Sequence, residues 1–501
     1  MSIAALFANP TFLVIAALVA IVYFLFSEKS GQKEPPGPWG VPILGYMPFM
    51  ERRMNVTLTK LAKKYGDVYK VQIGTRNIVV INGNATIKKA LAPGKSDFSG
   101  RPDFFTYSAA NKSFGFCDWG AKYRALKKIG VRALGMFANA RNKNLEEVAQ
   151  KAAQDFIEEC KRHENSPFNP KECLYDVIAC IMGFICYGRQ FERDDPELRT
   201  ILATADEVGT TIVTGILVDF IPKLGFLMRE KMNRYLTVMG KIRDYSSSLV
   251  AKVLDDVNAD DKPLTVAHAI TKSVQEMSEE DKQVLQIDNE YIKGLVGSLF
   301  GAGFGTIAIS IRWALLLCAK YPEIQERLFQ ELDSVVGGKD SYPKFSDSSR
   351  MPYFNAFLLE LYRFSSIASV AVTHKCTQDT TFNGYFIKEG TPVIINLYSA
   401  HYDERVFEDP FVFKPERFLD STGQFKTAEA DNVMPYGLGH RRCGGEALGR
   451  LELFMFLATI FQRCKAEEAP GEPLDPSNYL FTWALDPKPF NIVLKSRYGD
   501  W

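Results

Sequence analysis

Ten residues near the C-terminal end, Tyr436-Gly437-Leu438-Gly439-His440-Arg441-Arg442-Cys443-Gly444-Gly445, constrain this chain more than any other stretch. They hold four glycines, three basic residues and one cysteine, and a largely apolar helical run follows at residues 448–461. Glycine lets the backbone turn tightly and approach a flat partner closely. The turn sets Cys443 at or just before a helix start, where free N–H groups and the positive helix end favour a thiolate. A thiolate held there is one of the standard axial ligands of haem iron. Taken alone, the same pattern also describes a glycine-rich turn around a structural cysteine.

Three further stretches bear on that choice. Glu360-Leu361-Tyr362-Arg363 puts an acid and a base on one helical face. Lys414-Pro415-Glu416-Arg417-Phe418 follows it. Gly301-Ala302-Gly303-Phe304-Gly305-Thr306 lies inside an apolar stretch, residues 291–319, that must run through a core. Each glycine there costs roughly 1 kcal/mol of helix stability, which suggests a flat neighbour or a local opening. Thr306 shares a face with Ala302, whose carbonyl its hydroxyl can reach. In this order and spacing the four stretches resemble the cytochrome P-450 family, whose haem loop is written Phe-x-x-Gly-x-Arg-x-Cys-x-Gly. Tyr436 stands for the phenylalanine, while Gly439, Arg441, Cys443 and Gly445 match.

The resemblance covers nearly the whole chain. It implies a mainly α fold with small β-sheets (α+β), built as a single large haem domain after an N-terminal membrane anchor. It also implies haem b on Cys443, and a structural network of Glu360, Arg363 and Arg417. Thr306 takes the place of the threonine that helps deliver protons during oxygen activation. The acid that usually precedes it is replaced by Gly305, which puts coupling efficiency and reaction type in question. Arg441, His374 and the helical pair Tyr123 and Lys127 fall where the family places donors to the haem propionates; Tyr123 and Lys127 replace a tryptophan and an arginine. Gly439 belongs to the cofactor loop. Phe114, Ala302, Phe304, Ile367 and Val370 are the substrate-lining candidates. For His374 the plainer alternative is a satisfied surface or core histidine, and for Tyr123 and Lys127 a solvated basic helix face, whose remaining lysines are candidates to dock an acidic redox partner.

Composition narrows the class. Lysine plus arginine, 60, nearly cancels aspartate plus glutamate, 59, which gives no support to a nucleic-acid partner. The nine cysteines are scattered, odd in number and form no Cys-x-x-Cys, a pattern of a reducing compartment rather than of zinc or disulfides. Residues 11–26 carry no charge, and with residues 3–10 they are long enough to span a bilayer. No basic region precedes them, and Lys29 and Lys33 follow. Residues 1–28 therefore read as a signal anchor in the endoplasmic reticulum, residues 29–45 as a proline-rich hinge, and residues 46–501 as a cytosolic catalytic domain. Sequons at Asn55, Asn84 and Asn111 are then chance.

The expected activity is insertion of one oxygen atom from dioxygen into an apolar small molecule. Electrons would come from NADPH through a separate membrane flavoprotein reductase, with cytochrome b5 a further candidate partner. Phe300-Gly301-Ala302-Gly303-Phe304 and Asn383-Gly384-Tyr385-Phe386-Ile387 resemble enzymes that oxidise polycyclic aromatics, and steroid 17-alpha-hydroxylases come next. Two other readings stay open: a peroxide-rearranging isomerase or dehydratase, and a haem protein that binds a ligand without turnover.

Overall fold

A computed structural model describes residues 32–110, 113–137, 143–189, 191, 195–213, 217–255 and 263–499. The expected anchor, the first residues of the hinge and Asn111 lie outside them. The described hinge is extended: Pro36 accepts the Lys70 N–H at 2.8 Å, and Glu34 pairs with Lys70.

Helices make up most of the fold, arranged about Asn289–Lys320. Asp288 caps this helix by accepting the Tyr291 N–H at 3.1 Å, which satisfies one orphan donor of its first turn. From Phe304 to Ala319 nearly every residue is buried. Helices Lys171–Tyr187, Arg229–Asp255, Pro352–Ser365 and Glu446–Arg463 pack against it. Among the described residues it is the one helix long and apolar enough to cross a membrane, but its apolar surface is spent on these neighbours.

A four-stranded sheet stands beside the helices in the order Val68–Ile73, Arg76–Ile81, Pro392–Ile395, His374–Lys375. The first pair is a hairpin, in keeping with the alternating pattern of residues 68–73, turned at Gly74 with φ +60°. Side chains alternate between faces. Val79, Ile81, Val393 and Ile395 join one apolar cluster, while Ile78, Val80 and Ile394 join another. The central pair is parallel, Val79 opposite Val393, and Asn396 Nδ2 bonds Asn82 Oδ1 at 2.8 Å across 314 residues.

One segment departs from expectation. By composition residues 255–290 read as a polar, exposed connection around a short helix; they contain two, Val266–Gln275 and Glu279–Leu285, and the first is buried. Thr265 Oγ1 caps the first by accepting the His268 N–H at 3.0 Å, and Val266, Ala267, Ala269, Ile270 and Val274 enter the main core. The second helix carries the charge, so composition averaged over the segment hid a short apolar stripe.

Candidate active site

The cysteine loop folds as its glycines require. Gly437 and Gly439 have φ of +66° and +64°, and a Cβ on Gly439 would stand 2.7 Å from the Leu91 carbonyl oxygen, so neither position tolerates a side chain without strain. A short turn, Gly439–Arg441, leads to Cys443, whose N–H donates to the Tyr436 carbonyl at 2.8 Å. The helix begins three residues later at Glu446. Of the nine cysteines, six are buried, two half-buried, and only Cys443 is exposed. Surrounding protein nevertheless pushes its thiol pKa up by burial, with the Gly445 N–H and Lys127 acting in the opposite direction.

The long helix supplies the facing element. Ile307 lies against Gly449, one helical stretch beyond Cys443. The Thr306 hydroxyl donates to the Ala302 carbonyl at 2.9 Å, the bond expected from their spacing. Gly301 and Ala302 are exposed in a helix that is otherwise mostly buried. This stretch of the helix is therefore left uncovered by the packing around it.

Beside the loop is an unusual collection of cations. Arg101 is 7 % exposed, and its guanidinium donates only to carbonyls: Gly115 at 2.8 Å, Val372 at 2.8 Å and Thr373 at 3.1 Å. Arg441 likewise donates to the carbonyls of Ser99 at 2.7 Å, Cys117 at 2.9 Å and Phe114 at 3.3 Å, with its guanidinium 3.8 Å above the Tyr123 ring. Burial, and then repulsion by Arg441, pushes Arg101 down to about 9. His374 is buried next to both; desolvation, then Arg101, drives it down to about 3. Its Nδ1 lies 2.6 Å from the Phe98 carbonyl oxygen. That nitrogen must carry the ring proton, so Nε2 can donate only if the ring becomes cationic. Among the described residues neither arginine forms an ion pair. Asp118, the nearest acid, is paired with Lys375.

The Cytochrome P450 family model matches residues 35–494. Cytochrome P450 1A1 of Opsanus tau is 34% identical over 480 residues, covering 92% of each chain. Cytochrome P450 1A1 of Rattus norvegicus is 33% identical over 459 residues, covering 89% of this chain and 87% of its own. Cytochrome P450 1A2 of Mus musculus is 32% identical over 485 residues, covering 93% of each. The chain belongs to the cytochrome P450 family. It is a P450 monooxygenase, mainly helical with small sheets, and its cofactor is haem.

The residues present suit that group. A porphyrin needs a flat approach, which the glycines of the loop and of the facing helix allow. Its two carboxylates need cations, and the buried guanidinium of Arg101 and the half-buried one of Arg441, neither paired with an acid, stand next to the loop. An exposed cysteine between those elements can take the iron. Tyr123 and Lys127, expected to reach the propionates, donate here to loop carbonyls: Tyr123 to His440 at 2.6 Å, Lys127 to His440 at 2.5 Å and Arg442 at 2.8 Å. Burial, and then Arg441, lowers the Lys127 ammonium to about 8.

The network of this P450 is complete. Arg363 holds both oxygens of Glu360 at 2.7 Å and donates to the His401 and Pro410 carbonyls at 3.0 and 2.8 Å. Arg417 adds a bond to Glu360 at 3.0 Å, and the Lys414 N–H another at 2.9 Å.

The substrate candidates divide. Ala302 is exposed, Ile367 and Val370 are half-buried, and Phe114 packs 3.2 Å from a Cβ built on Gly444. Phe304 was expected beside substrate; instead it is 3 % exposed, its ring against Phe300 and Tyr175. It lies two residues from Ala302, about 200° around the helix, which aims it into the core. Arg101, Trp119, whose ring lies 4.6 Å from His440, and Trp483 were not singled out in the sequence. Two tryptophans and an arginine in loops give no periodic signal, and only the fold brings them to the site.

Proposed function

We propose that this P450 inserts one oxygen atom into a flat, apolar aromatic molecule, with steroids as second candidates. Electrons come from NADPH through a separate flavoprotein reductase, with cytochrome b5 a further donor. The observation that carries this reading is the pairing of an accessible Cys443 with an open Gly301–Ala302–Thr306 face. Cys443 holds the iron, and Arg101 and Arg441 take the propionates, with His374 joining them as a donor only when its ring is cationic; Tyr123 and Lys127 brace the loop and can turn to the same carboxylates. Bound haem supplies reductive activation of dioxygen at a thiolate-ligated iron.

The chain's own residues do the rest. The Thr306 hydroxyl rests its proton on the Ala302 carbonyl and keeps its lone pairs toward the open side, so it can accept one proton and pass on another. Gly305 offers no carboxylate to refill it, so water or substrate must do so. Residues 1–28 anchor the protein in the endoplasmic reticulum with the 46–501 domain in the cytosol and 29–45 as hinge. Exposed Trp39, Ile43 and Phe49 support a membrane-facing edge together with Phe226 and Leu227. Gly74 and Thr75 draw these groups together by donating to the Leu44 and Phe220 carbonyls at 3.1 and 2.9 Å.

The test is NADPH consumption with purified reductase, scoring oxygenated product and released peroxide on planar aromatic and steroid panels. Product that depends on substrate supports the proposal. NADPH use that yields only peroxide, or none at all, overturns it in favour of peroxide rearrangement or ligand binding.

A further inference from the structure

Gly305 stands where an acid was expected, and a tryptophan lies against it. A Cβ built on Gly305 would be 3.1 Å from Trp483 Cζ2 and 3.3 Å from Cη2, closer than side chains ordinarily pack. Any larger residue at 305 must displace the indole. Trp483 sits at the tip of a hairpin whose strands are Tyr479–Phe481 and Leu485–Pro487. The Thr482 N–H and hydroxyl close the turn by donating to the Ala484 carbonyl at 3.0 and 2.9 Å.

The base of this hairpin is fastened to the same helix that carries Gly305. Arg312 pairs with Asp486 and donates to the Pro487 carbonyl at 3.0 Å, and the Trp313 indole N–H donates to the Leu485 carbonyl at 3.0 Å. Positions 305, 312 and 313 are seven and eight residues apart, so they share one stripe of the helix. From its other side the hairpin is tied to the expected substrate-facing segment, the Leu485 N–H donating to Ile367 at 2.9 Å. The tip therefore has little freedom. Yet its indole is 44 % exposed. One turn before Gly305 on the same stripe, a Cβ on Gly301 would meet nothing within 4 Å. One edge of the ring is seated on Gly305, the residue before Thr306, and the rest of the side chain is partly uncovered.

We propose that Gly305 and Trp483 are a matched pair, in which the absent side chain at 305 admits an indole that serves as the specificity-determining wall for flat aromatic substrates. This deepens the proposed function and rests on its aromatic reading. An aromatic ring fixed in advance stacks on a planar ligand without first losing rotamer freedom. A bulky, non-planar ligand finds the same ring an obstacle. The absence of an acid before Thr306 is then the structural condition for the wall.

The test is spectral titration of the haem-loaded protein with pyrene, a flat polycycle, and progesterone, a puckered one. The carbon-monoxide difference spectrum of each variant checks that the haem-loaded fold survives. Trp483→Leu keeps apolar bulk but removes the flat face. It is expected to weaken pyrene roughly 2- to 12-fold and to leave progesterone unchanged or tighter. Gly305→Ala is expected to weaken pyrene in the wild-type background and to add nothing once Trp483 is Leu, because the two changes act through one ring. Equal loss for both ligands, additive effects of the two substitutions, or no pyrene preference in the wild type would overturn the proposal. Binding spectra need no turnover, so wild-type pyrene binding without oxygenated product would sink the monooxygenase reading and leave this one standing.

Discussion

Two buried clusters of charge lie in this molecule, and they are solved differently. Glu360, Arg363 and Arg417 close on one another: both oxygens of the acid are held, and the guanidiniums spend their remaining donors on carbonyls. Arg101, Arg441 and His374 have carbonyls but no acid, and burial, with mutual repulsion second, lowers Arg101 to about 9 and His374 to about 3. The first cluster contains its own anion, with two guanidiniums sharing one carboxylate, and belongs to the scaffold. A cluster with no anion of its own in a low-dielectric setting is stabilised by a visiting one. The difference separates structure from site without reference to any motif.

The comparison can be broken most severely at Arg363. Arg363→Ala leaves the Glu360 carboxylate buried without its main partner and is expected to cost about 3–5 kcal/mol. Against a total margin of roughly 5–15 kcal/mol, soluble yield and thermal midpoint should both collapse, whether or not haem is supplied.

Glu452 sharpens the contrast as a third case, a buried acid with one oxygen unpartnered and no cation beside it. Burial raises it to about 8 from 4.5. Between those values the folded state holds a proton that the unfolded chain has released, so stability falls as pH rises through this window and levels off above about pH 8. Glu452→Gln should flatten that fall and raise stability at neutral pH by an amount on the order of a few kcal/mol, read as a higher thermal midpoint. An unchanged wild-type-minus-variant slope in thermal scans from pH 5 to 8 would contradict the assignment.

Arg101→Leu should behave oppositely to Arg363→Ala. Relief of repulsion offsets the lost carbonyl bonds, and haem-free stability is expected to move by less than about 1 kcal/mol, within the range of ordinary substitutions. Haem loss to an acceptor protein should accelerate about tenfold, one charge-assisted bond's worth. A large fall in haem-free stability would place Arg101 with the scaffold.

Much of this was legible in the sequence wherever the geometry is local. The Thr306–Ala302 bond and the Glu360–Arg363 pair follow from helical spacing, and the Gly437 and Gly439 conformations follow from the absence of a Cβ. Phe304 shows where that reasoning stops. A helix buried all round has no polar face to fix its rotation, so which apolar residues meet the site cannot be read from pattern alone. Arg101 and Trp483 reach the site through contacts that only tertiary structure supplies, Arg101 Nη1 to Thr373 across 272 residues. The helix at Val266–Gln275 was masked by charged neighbours on both sides.

The sheet has a consequence for how the protein is made. Arg76–Ile81 gains its second neighbour only when Pro392–Ile395 exists, as the Asn82–Asn396 bond across 314 residues records. At translation rates of roughly 5–20 residues per second, the early hairpin waits on the order of 15–60 s with an apolar edge uncovered. The nascent chain is therefore most vulnerable midway through its synthesis. Slower translation of the middle third lengthens that exposure, and early capture of the 68–81 hairpin by a chaperone would shorten it.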